Sequence, residues 1–198
     1  MDRKDGLGAI PGAITVFDLN KRKAIQAVAY LMGQGGVDAD AYLKIIKLLY
    51  VAERECLIET GCPLTGDRTC AMPYGPALSV IADAIGKQQV AEDWSEYFEP
   101  ASDWRLVLKR NPGVSALSRY EMAKLAAAAQ RFQGKDRWET SNDTHDLPEW
   151  EKHEPGKSSE TIPVSDILEA GKASKKLRAA TRRGREDRAF AQALGRRQ

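Results

Sequence analysis

Three cysteines lie close together in the chain and are the first residues to consider for chemistry. Cys56, Cys62 and Cys70 are separated by five and seven residues, whereas structural zinc sites hold pairs of cysteines about two to four residues apart. The two histidines of the chain, His145 and His153, lie far downstream. The spacing therefore predicts no metal site. We expect Cys56 to be a small core residue on a helix face and the other two cysteines to be loop thiols.

The same stretch carries charged residues that could take part in acid and base catalysis. Glu53, Arg54 and Glu55 are adjacent on a predicted helix, but such catalysis needs two carboxylates held around a substrate. A polar network that pins the helix to the following loop is the favoured interpretation. The loop from Thr65 to Asp67 lacks the phosphate-binding P-loop pattern, and its side chains are expected to accept bonds from nearby backbone amides. We therefore expect no catalytic residue, no cofactor and no enzymatic activity.

The charges of the chain are distributed unevenly. Residues 171–198 carry a formal charge of +8, the first 170 residues carry −6, and the whole chain carries +2. A basic extension of this strength indicates contact with nucleic-acid phosphates or with an acidic protein surface. Phe190 is its one aromatic residue, which argues against stacking on bases. The candidate contact residues are Lys175, Lys176, Arg178, Arg182, Arg183, Arg185 and Arg188.

Two helices are predicted before and across the cysteine-containing stretch. Apolar residues at helical spacing predict the first helix over residues 20–32, which a glycine-rich segment then ends. The second helix is expected to start at Asp38 or Asp40, whose carboxylate would cap it. It should run to about Thr60, with Gly61 as its terminator.

The second helix has the clearest amphipathic pattern in the chain. Its apolar stripe consists of Tyr42, Ile45, Ile46, Leu49 and Cys56. Lys44, Lys47 and Glu55 fall outside this stripe.

The remaining elements follow from turn residues and caps. Pro76 suits the first turn of a helix that continues to residue 87, and the aromatic and apolar residues between 94 and 109 suggest a small hairpin. Ser118 and Glu121 form a capping box for a helix through Phe132. The later elements are a short helix over 136–145, a polar connector over 146–160, and a final helix from Ser165 to about Leu194. The predicted fold is a compact, mainly α domain with a small β-hairpin and a long basic C-terminal helix or arm.

Blocks of residues within the first half of the chain carry a family resemblance. The blocks consist of Lys47, Leu48, Leu49 and Tyr50, then Arg54, then Pro63, Thr65, Gly66 and Asp67, then Met72, and finally Tyr74, Gly75 and Pro76. In order and spacing they resemble the signature of the Panacea domain family, the SocA-like antitoxins, which are also described as phage-associated proteins. Weaker similarities follow at residues 117–121, 144–145 and 148–150. Glu53 stands where the family usually has Asp, which keeps the charge.

The resemblance implies an antitoxin of a bacterial or phage toxin–antitoxin system. Such a protein would bind directly to a cognate toxin encoded by a neighbouring gene. One family member instead delivers its toxin to the ClpXP protease, so a proteolytic adaptor is an alternative. A nucleic-acid-binding regulator that uses the basic tail is a further alternative. We expect the signature to serve the fold, with Gly66 and Tyr74 needed for folding first.

The domain boundaries that follow are a lead-in over residues 1–19, a Panacea-like helical domain over 20–170, and a basic extension over 171–198. The chain shows no signal peptide and no apolar run long enough to cross a bilayer. These observations predict a cytoplasmic location without membrane contact. The three cysteines are then expected to be free thiols.

Overall fold

The computed structural model describes residues 17–33, 41–86 and 89–195, and it describes residues 188–195 by their backbone alone. Its helices within this part are α1 (Lys21–Met32), α2 (Tyr42–Thr60), α3 (Ser79–Ile85), α4 (Arg119–Arg131), α5 (Arg137–His145), α6 (Pro148–Lys152), α7 (Val164–Ala170) and α8 (Lys175–Gly195). Its strands are β1 (Thr69–Met72), β2 (Gly75–Leu78), β3 (Phe98–Ala101), β4 (Arg105–Leu108) and β5 (Glu160–Thr161). The predicted fold class, mainly α with a small β component, is confirmed.

Helix α2 is the central element of the domain. It packs against α1, α4, α5, α7 and β2, and Leu48, Leu49 and Tyr50 are fully buried on it. Gly61 ends the helix in a left-handed conformation with φ of 72°, as predicted, and its amide donates to the carbonyl of Leu57. The predicted caps Asp38 and Asp40 lie outside the described residues.

The burial of two lysines on α2 corrects the amphipathic interpretation. Lys44 and Lys47 are only 1% exposed, although both fall outside the apolar stripe. Their ammonium groups donate to carbonyl oxygens of distant segments, Lys44 to Lys135 and Lys47 to Pro76. Neighbouring elements cover α2 on several sides, so its polar positions are buried as well and their charges must find partners in the chain.

Local caps agree with the sequence at three helix starts. The side chain of Asn20 accepts a bond from the amide of Lys23 at the start of α1. Ser118 and Glu121 form the predicted capping box of α4, and Asp136 forms a second box at the start of α5. These helices begin where short-range hydrogen bonding satisfies their first amides.

A three-stranded antiparallel sheet of order β2-β1-β5 follows α2. Pro76 lies in β2 opposite Ala71 and does not start a helix. The ring of Pro76 removes the backbone N–H donor, which this position does not need. The carbonyl of Pro76 accepts a hydrogen bond from the ammonium group of Lys47. Cys70 lies on β1 and is buried, so it is a strand residue and not a loop thiol. Helix α3 starts three residues after Pro76.

The polar connector over 146–160 contains more structure than expected. Residues 148–152 form α6, and Glu160 pairs with Ala71 of β1 as part of β5. Pro148 occupies the first turn of α6, where a missing amide costs nothing. The polar composition of this stretch predicted a loop. The apolar residues against which its short elements pack lie elsewhere in the chain, so the local sequence does not reveal them.

The final helix predicted from Ser165 is two helices. Helix α7 ends before Gly171, and Lys172 has a positive φ of 55°. A Cβ at Gly171 would lie 2.2 Å from the Cδ1 atom of Ile58, so the chain passes directly over α2 at this point. This close approach fixes the turn from which α8 starts.

The predicted hairpin over 94–109 is present as β3 and β4, which pair antiparallel with Phe98 opposite Leu108. Its tip is strained, because Asp103 and Trp104 both have positive φ values, 58° and 63°. Phe98 and Leu106 are buried and attach the hairpin to the core.

Candidate functional site

A buried carboxylate of α2 holds the loop that contains the signature. Glu53 is fully buried, and it accepts bonds from the amide and hydroxyl of Thr65, at 2.7 and 3.0 Å, and from the amide of Gly66, at 3.2 Å. Burial raises the pKa of Glu53 to about 7, against the opposing effect of these bonds. The polar network predicted around Glu53 is present, with backbone amides as partners in place of cations.

Gly66 and Asp67 continue this loop into α3. Gly66 has a φ of 80°, and a Cβ there would lie 2.5 Å from the carbonyl oxygen of Asp18. Asp67 accepts bonds from the amides of Arg68, Val80 and Ile81, at 2.6, 3.1 and 2.9 Å. It therefore caps α3 from outside the helix. Burial raises the pKa of Asp67 above its ordinary value despite these bonds.

A second buried carboxylate joins α2 to α6. Glu149 receives two bonds from Arg54, from Nε at 2.5 Å and from Nη2 at 3.2 Å, and one from the hydroxyl of Tyr50 at 3.2 Å. The side chain of Glu149 is fully buried and that of Arg54 is 15% exposed. This bidentate pair links the signature to the weaker similarity at residues 148–150, which lies 95 positions further along the chain. Burial and the carboxylate of Glu149 raise the pKa of Tyr50 well above its ordinary value.

The third buried charge lies beneath the turn between β1 and β2. Lys47 donates to the carbonyl of Pro76 at 2.8 Å, and burial lowers its pKa to about 7. Gly75 has a φ of 90°, and a Cβ there would lie 2.6 Å from the hydroxyl of Thr144 and 3.2 Å from the Nζ atom of Lys47. The turn therefore fits tightly between α2 and α5.

His145 and Trp150 complete the wall of this turn. Their rings stack with centroids 4.1 Å apart, and the indole of Trp150 donates to the carbonyl of Met72 at 3.1 Å. Burial, followed by the charge of Lys47, lowers the pKa of His145. No group of three or more histidine, cysteine or carboxylate side chains placed to hold a metal occurs in the described part of the chain.

An exposed aromatic surface lies on the outside of the same turn. Tyr74 and Trp138 are 59% and 47% exposed and meet with ring centroids 5.6 Å apart. Arg137 lies over the ring of Trp138 at 5.3 Å and donates to the carbonyl of Asp103 at 2.9 Å. Trp104, 44% exposed, follows at the hairpin tip. We name Tyr74, Trp104, Arg137 and Trp138 the aromatic surface.

A shallow cavity of about 370 Å³ lies beside the aromatic surface. Its walls include Trp138 and Arg137 of α5 and Asp103 and Arg105 of the hairpin. Three aromatic side chains, an arginine and a concavity therefore occur close together on the domain. This is a composition typical of protein interfaces.

The residues of these buried clusters and of the aromatic surface lie within one matched segment. Residues 45–151 match the family model described as antitoxin SocA-like, Panacea domain. The chain belongs to this family. The match covers Glu53, Glu149 and Trp138, so the Panacea domain includes both the buried charges and the exposed aromatic residues. No curated protein and no solved structure gives a match to the chain.

The residues of the Panacea signature divide into two classes. Lys47, Arg54, Thr65 and Asp67 make the buried contacts described above, and the predicted structural role fits them. Tyr74 differs, because its side chain points to solvent while only its carbonyl is held, by the hydroxyl of Ser141 at 2.6 Å. This exposure favours a contact role for the Tyr74 side chain over the predicted role in folding, which stays a prediction.

The predicted contact residues of the basic extension all lie on α8. Lys175, Lys176, Arg182 and Arg183 are exposed, Arg178 and Arg185 are half-buried, and the side chain of Arg188 lies outside the described residues. No helix in the described ranges combines the length and the apolar character that a membrane crossing requires.

Sequence reasoning missed three members of the aromatic surface, Trp104, Arg137 and Trp138. A signal was present, because Trp138 is the one large apolar residue in a polar helix whose other positions are charged or small. A tryptophan that such a helix cannot bury indicates a contact surface.

Proposed function

We propose that this protein is an antitoxin that neutralises its cognate toxin by binding the toxin directly. The observation that carries the proposal is the aromatic surface on a domain of the SocA-like antitoxin family. Tyrosine, tryptophan and arginine contribute most of the binding energy in many protein interfaces. Tyr74, Trp138 and Arg137 provide all three types within one patch.

The buried charges support a scaffold function for the interior of the domain. Glu53, Asp67 and Glu149 each accept bonds from several groups of the chain itself. Their hydrogen-bonding capacity is used within the fold, and none of them points to a substrate. The residues offered to a partner are those on the outside of the turn, where large apolar side chains remain exposed.

The toxin is expected to be encoded by a neighbouring gene. Its contact with this protein would place an apolar residue against Trp138 and polar groups in the 370 Å³ cavity, whose lining includes Asp103, Asp136 and Arg137. The basic residues of α8 would extend the contact. A toxin covered in this way loses access to its own substrate without being degraded.

Co-expression with the neighbouring reading frame tests the proposal. We expect the full-length protein to restore growth, and the two purified proteins to form a complex in calorimetry and gel filtration. Restoration of growth only in cells that contain ClpXP would favour a proteolytic adaptor. Strongly salt-dependent binding to any DNA, without a protein complex, would favour a nucleic-acid-binding regulator.

A further inference from the structure

A groove separates α7 from the first half of α8. It encloses about 730 Å³. We name it the α7–α8 groove and define it by Leu168 and Glu169 of α7 together with Lys175, Arg178, Arg182 and Arg185 of α8. The groove lies outside the segment that matches the Panacea family.

The orientation of α8 is fixed by contacts at its first two turns. A Cβ on Gly61 would lie 2.4 Å from the hydroxyl of Thr181 and 3.0 Å from Leu177, so α8 rests on the end of α2. Thr181 is buried. Because Leu177 and Thr181 are four residues apart, they lie on one face of the helix, and this face is attached to the core.

The basic residues of α8 form two separate rows. Lys175, Arg178, Arg182 and Arg185 follow helical spacing and line the groove. Lys176 and Arg183 point away from the groove and are exposed. One row is therefore presented to a concave surface and the other only to solvent.

The groove-lining row has an excess of positive charge over an apolar floor. Four basic side chains meet two carboxylates, Glu169 and Glu186, and half-buried Ala179 contributes apolar surface, whereas Leu168 is buried. Arg182 pairs with Glu186 at 3.9 Å. Lys175, Arg178 and Arg185 make no salt bridge with any residue that the structure describes. The excess charge is thus available to an acidic ligand.

We propose that the α7–α8 groove binds an acidic, amphipathic segment of a partner protein. Carboxylates of the segment would pair with Arg178, Arg182 and Arg185, and its apolar residues would cover Ala179 and the alkyl stems of the arginines. A nucleic acid fits less well, because a phosphate backbone has no apolar side to place on the floor and would meet Glu169. With the toxin as the partner, the inference rests on the function proposed above.

Fluorescence anisotropy with a designed probe tests the groove directly. The probe is a labelled sixteen-residue helical peptide with glutamates on one face and leucines on the other. One matched peptide carries glutamine in place of glutamate, and a short DNA duplex serves as a third probe. We expect the glutamate peptide to bind the full-length protein at least about ten times more tightly than the glutamine peptide, a difference of about 1.4 kcal/mol.

Charge reversals on the two rows of α8 provide matched controls. Arg178→Glu and Arg182→Glu should weaken binding of the glutamate peptide at least about tenfold, whereas Lys176→Glu and Arg183→Glu should change it less than about threefold. Circular dichroism and thermal melting confirm that each variant is folded. Equal losses in all four variants, preference for the DNA probe, or no binding by the wild type would overturn the inference.

The peptide-binding and co-expression experiments distinguish failure of the groove from failure of the antitoxin function. A wild-type protein that restores growth but does not bind the glutamate peptide would overturn the groove and leave the antitoxin function intact. Selective binding of the glutamate peptide in a protein that never forms a complex with the neighbouring gene product would support the groove and contradict the antitoxin function.

Discussion

The edge of Tyr74 meets the ring of Trp138 at an interplanar angle of 66°, with both side chains open to solvent. The pair joins the turn between β1 and β2 to helix α5. Its exposure separates it from the other aromatic contact of this region, the stack of half-buried His145 on buried Trp150. One contact supports the fold, and the other is presented to the surroundings.

Tyr74→Ala and Trp138→Ala should each weaken toxin binding with little effect on folding. An exposed aromatic pair contributes about 0.5 to 1.5 kcal/mol beyond area burial, so the melting temperature should fall by only a few degrees. Each substitution should raise the dissociation constant of the toxin complex at least about tenfold, because interface aromatics often contribute 2 kcal/mol or more. Calorimetry of the complex and thermal melting measure the two effects.

Tyr120→Ala is the matched control for these variants. Tyr120 is 39% exposed on α4 and lies outside the aromatic surface. We expect this variant to bind the toxin like the wild type. A loss of binding equal to that of Tyr74→Ala, or a large fall in melting temperature for Tyr74→Ala, would contradict the assignment.

Glu149→Gln should destabilise the domain strongly. The substitution leaves the Arg54 guanidinium without its anionic partner in a site that is mostly buried. Removing one partner of a buried ion pair lowers the free energy of unfolding by about 3 to 5 kcal/mol. The double variant Arg54→Met with Glu149→Met should recover part of the loss, because neither charge then remains. Urea unfolding of Arg54→Met, Glu149→Met and the double variant gives the coupling energy, and a coupling near zero would argue against the pair.

Asp67→Ala should lower the free energy of unfolding by about 2 kcal/mol. The substitution removes the acceptor for the amides of Val80 and Ile81 at the start of α3. Asp67→Asn keeps one acceptor oxygen and should lose less. The urea midpoint should shift while the slope stays constant. Equal midpoints for the alanine and wild-type proteins would show that this cap contributes nothing.

Lys47→Met should change how stability depends on pH. The folded pKa of Lys47 is about 7, against 10.5 as its ordinary value. Above pH 7 the folded chain loses this proton while the unfolded chain keeps it, so unfolding takes up a proton. The free energy of unfolding of the wild type should therefore rise relative to Lys47→Met by up to about 1.4 kcal/mol per pH unit. Denaturation at pH 7 and 8.5 tests this, and parallel profiles would refute it.

Features set by neighbouring residues could be predicted from the sequence. The capping box of Ser118 with Glu121 involves residues only three positions apart. Gly61 can adopt its left-handed conformation because glycine has no Cβ. The side chains of Thr65 and Asp67 were expected to accept bonds from nearby backbone amides, and they accept from the amides of Asp67 and Arg68. The hairpin of β3 and β4 followed from apolar residues near a turn.

Features set by distant residues could not be predicted. The burial of Lys47 depends on a carbonyl 29 positions away, and that of Arg54 on a carboxylate 95 positions away. The break between α7 and α8 depends on Ile58, which lies far back on α2. The candidate site has the same limit, since Tyr74 and Trp138 are neighbours only after α5 packs beside the turn.

The tight fit of Gly75 also has a kinetic consequence. The turn that contains it rests on Lys47 from one side and on Thr144 from the other, and its strands have only four residues each. A hairpin this short is at best marginally stable alone. Its supports, Lys47 and Thr144, lie far from it in the sequence, so long loops must close before they contact the turn. We expect φ-values near zero for substitutions at Ala71 and Ala77. The segment by which the family is most readily recognised would then be among the last parts of the chain to reach its native conformation.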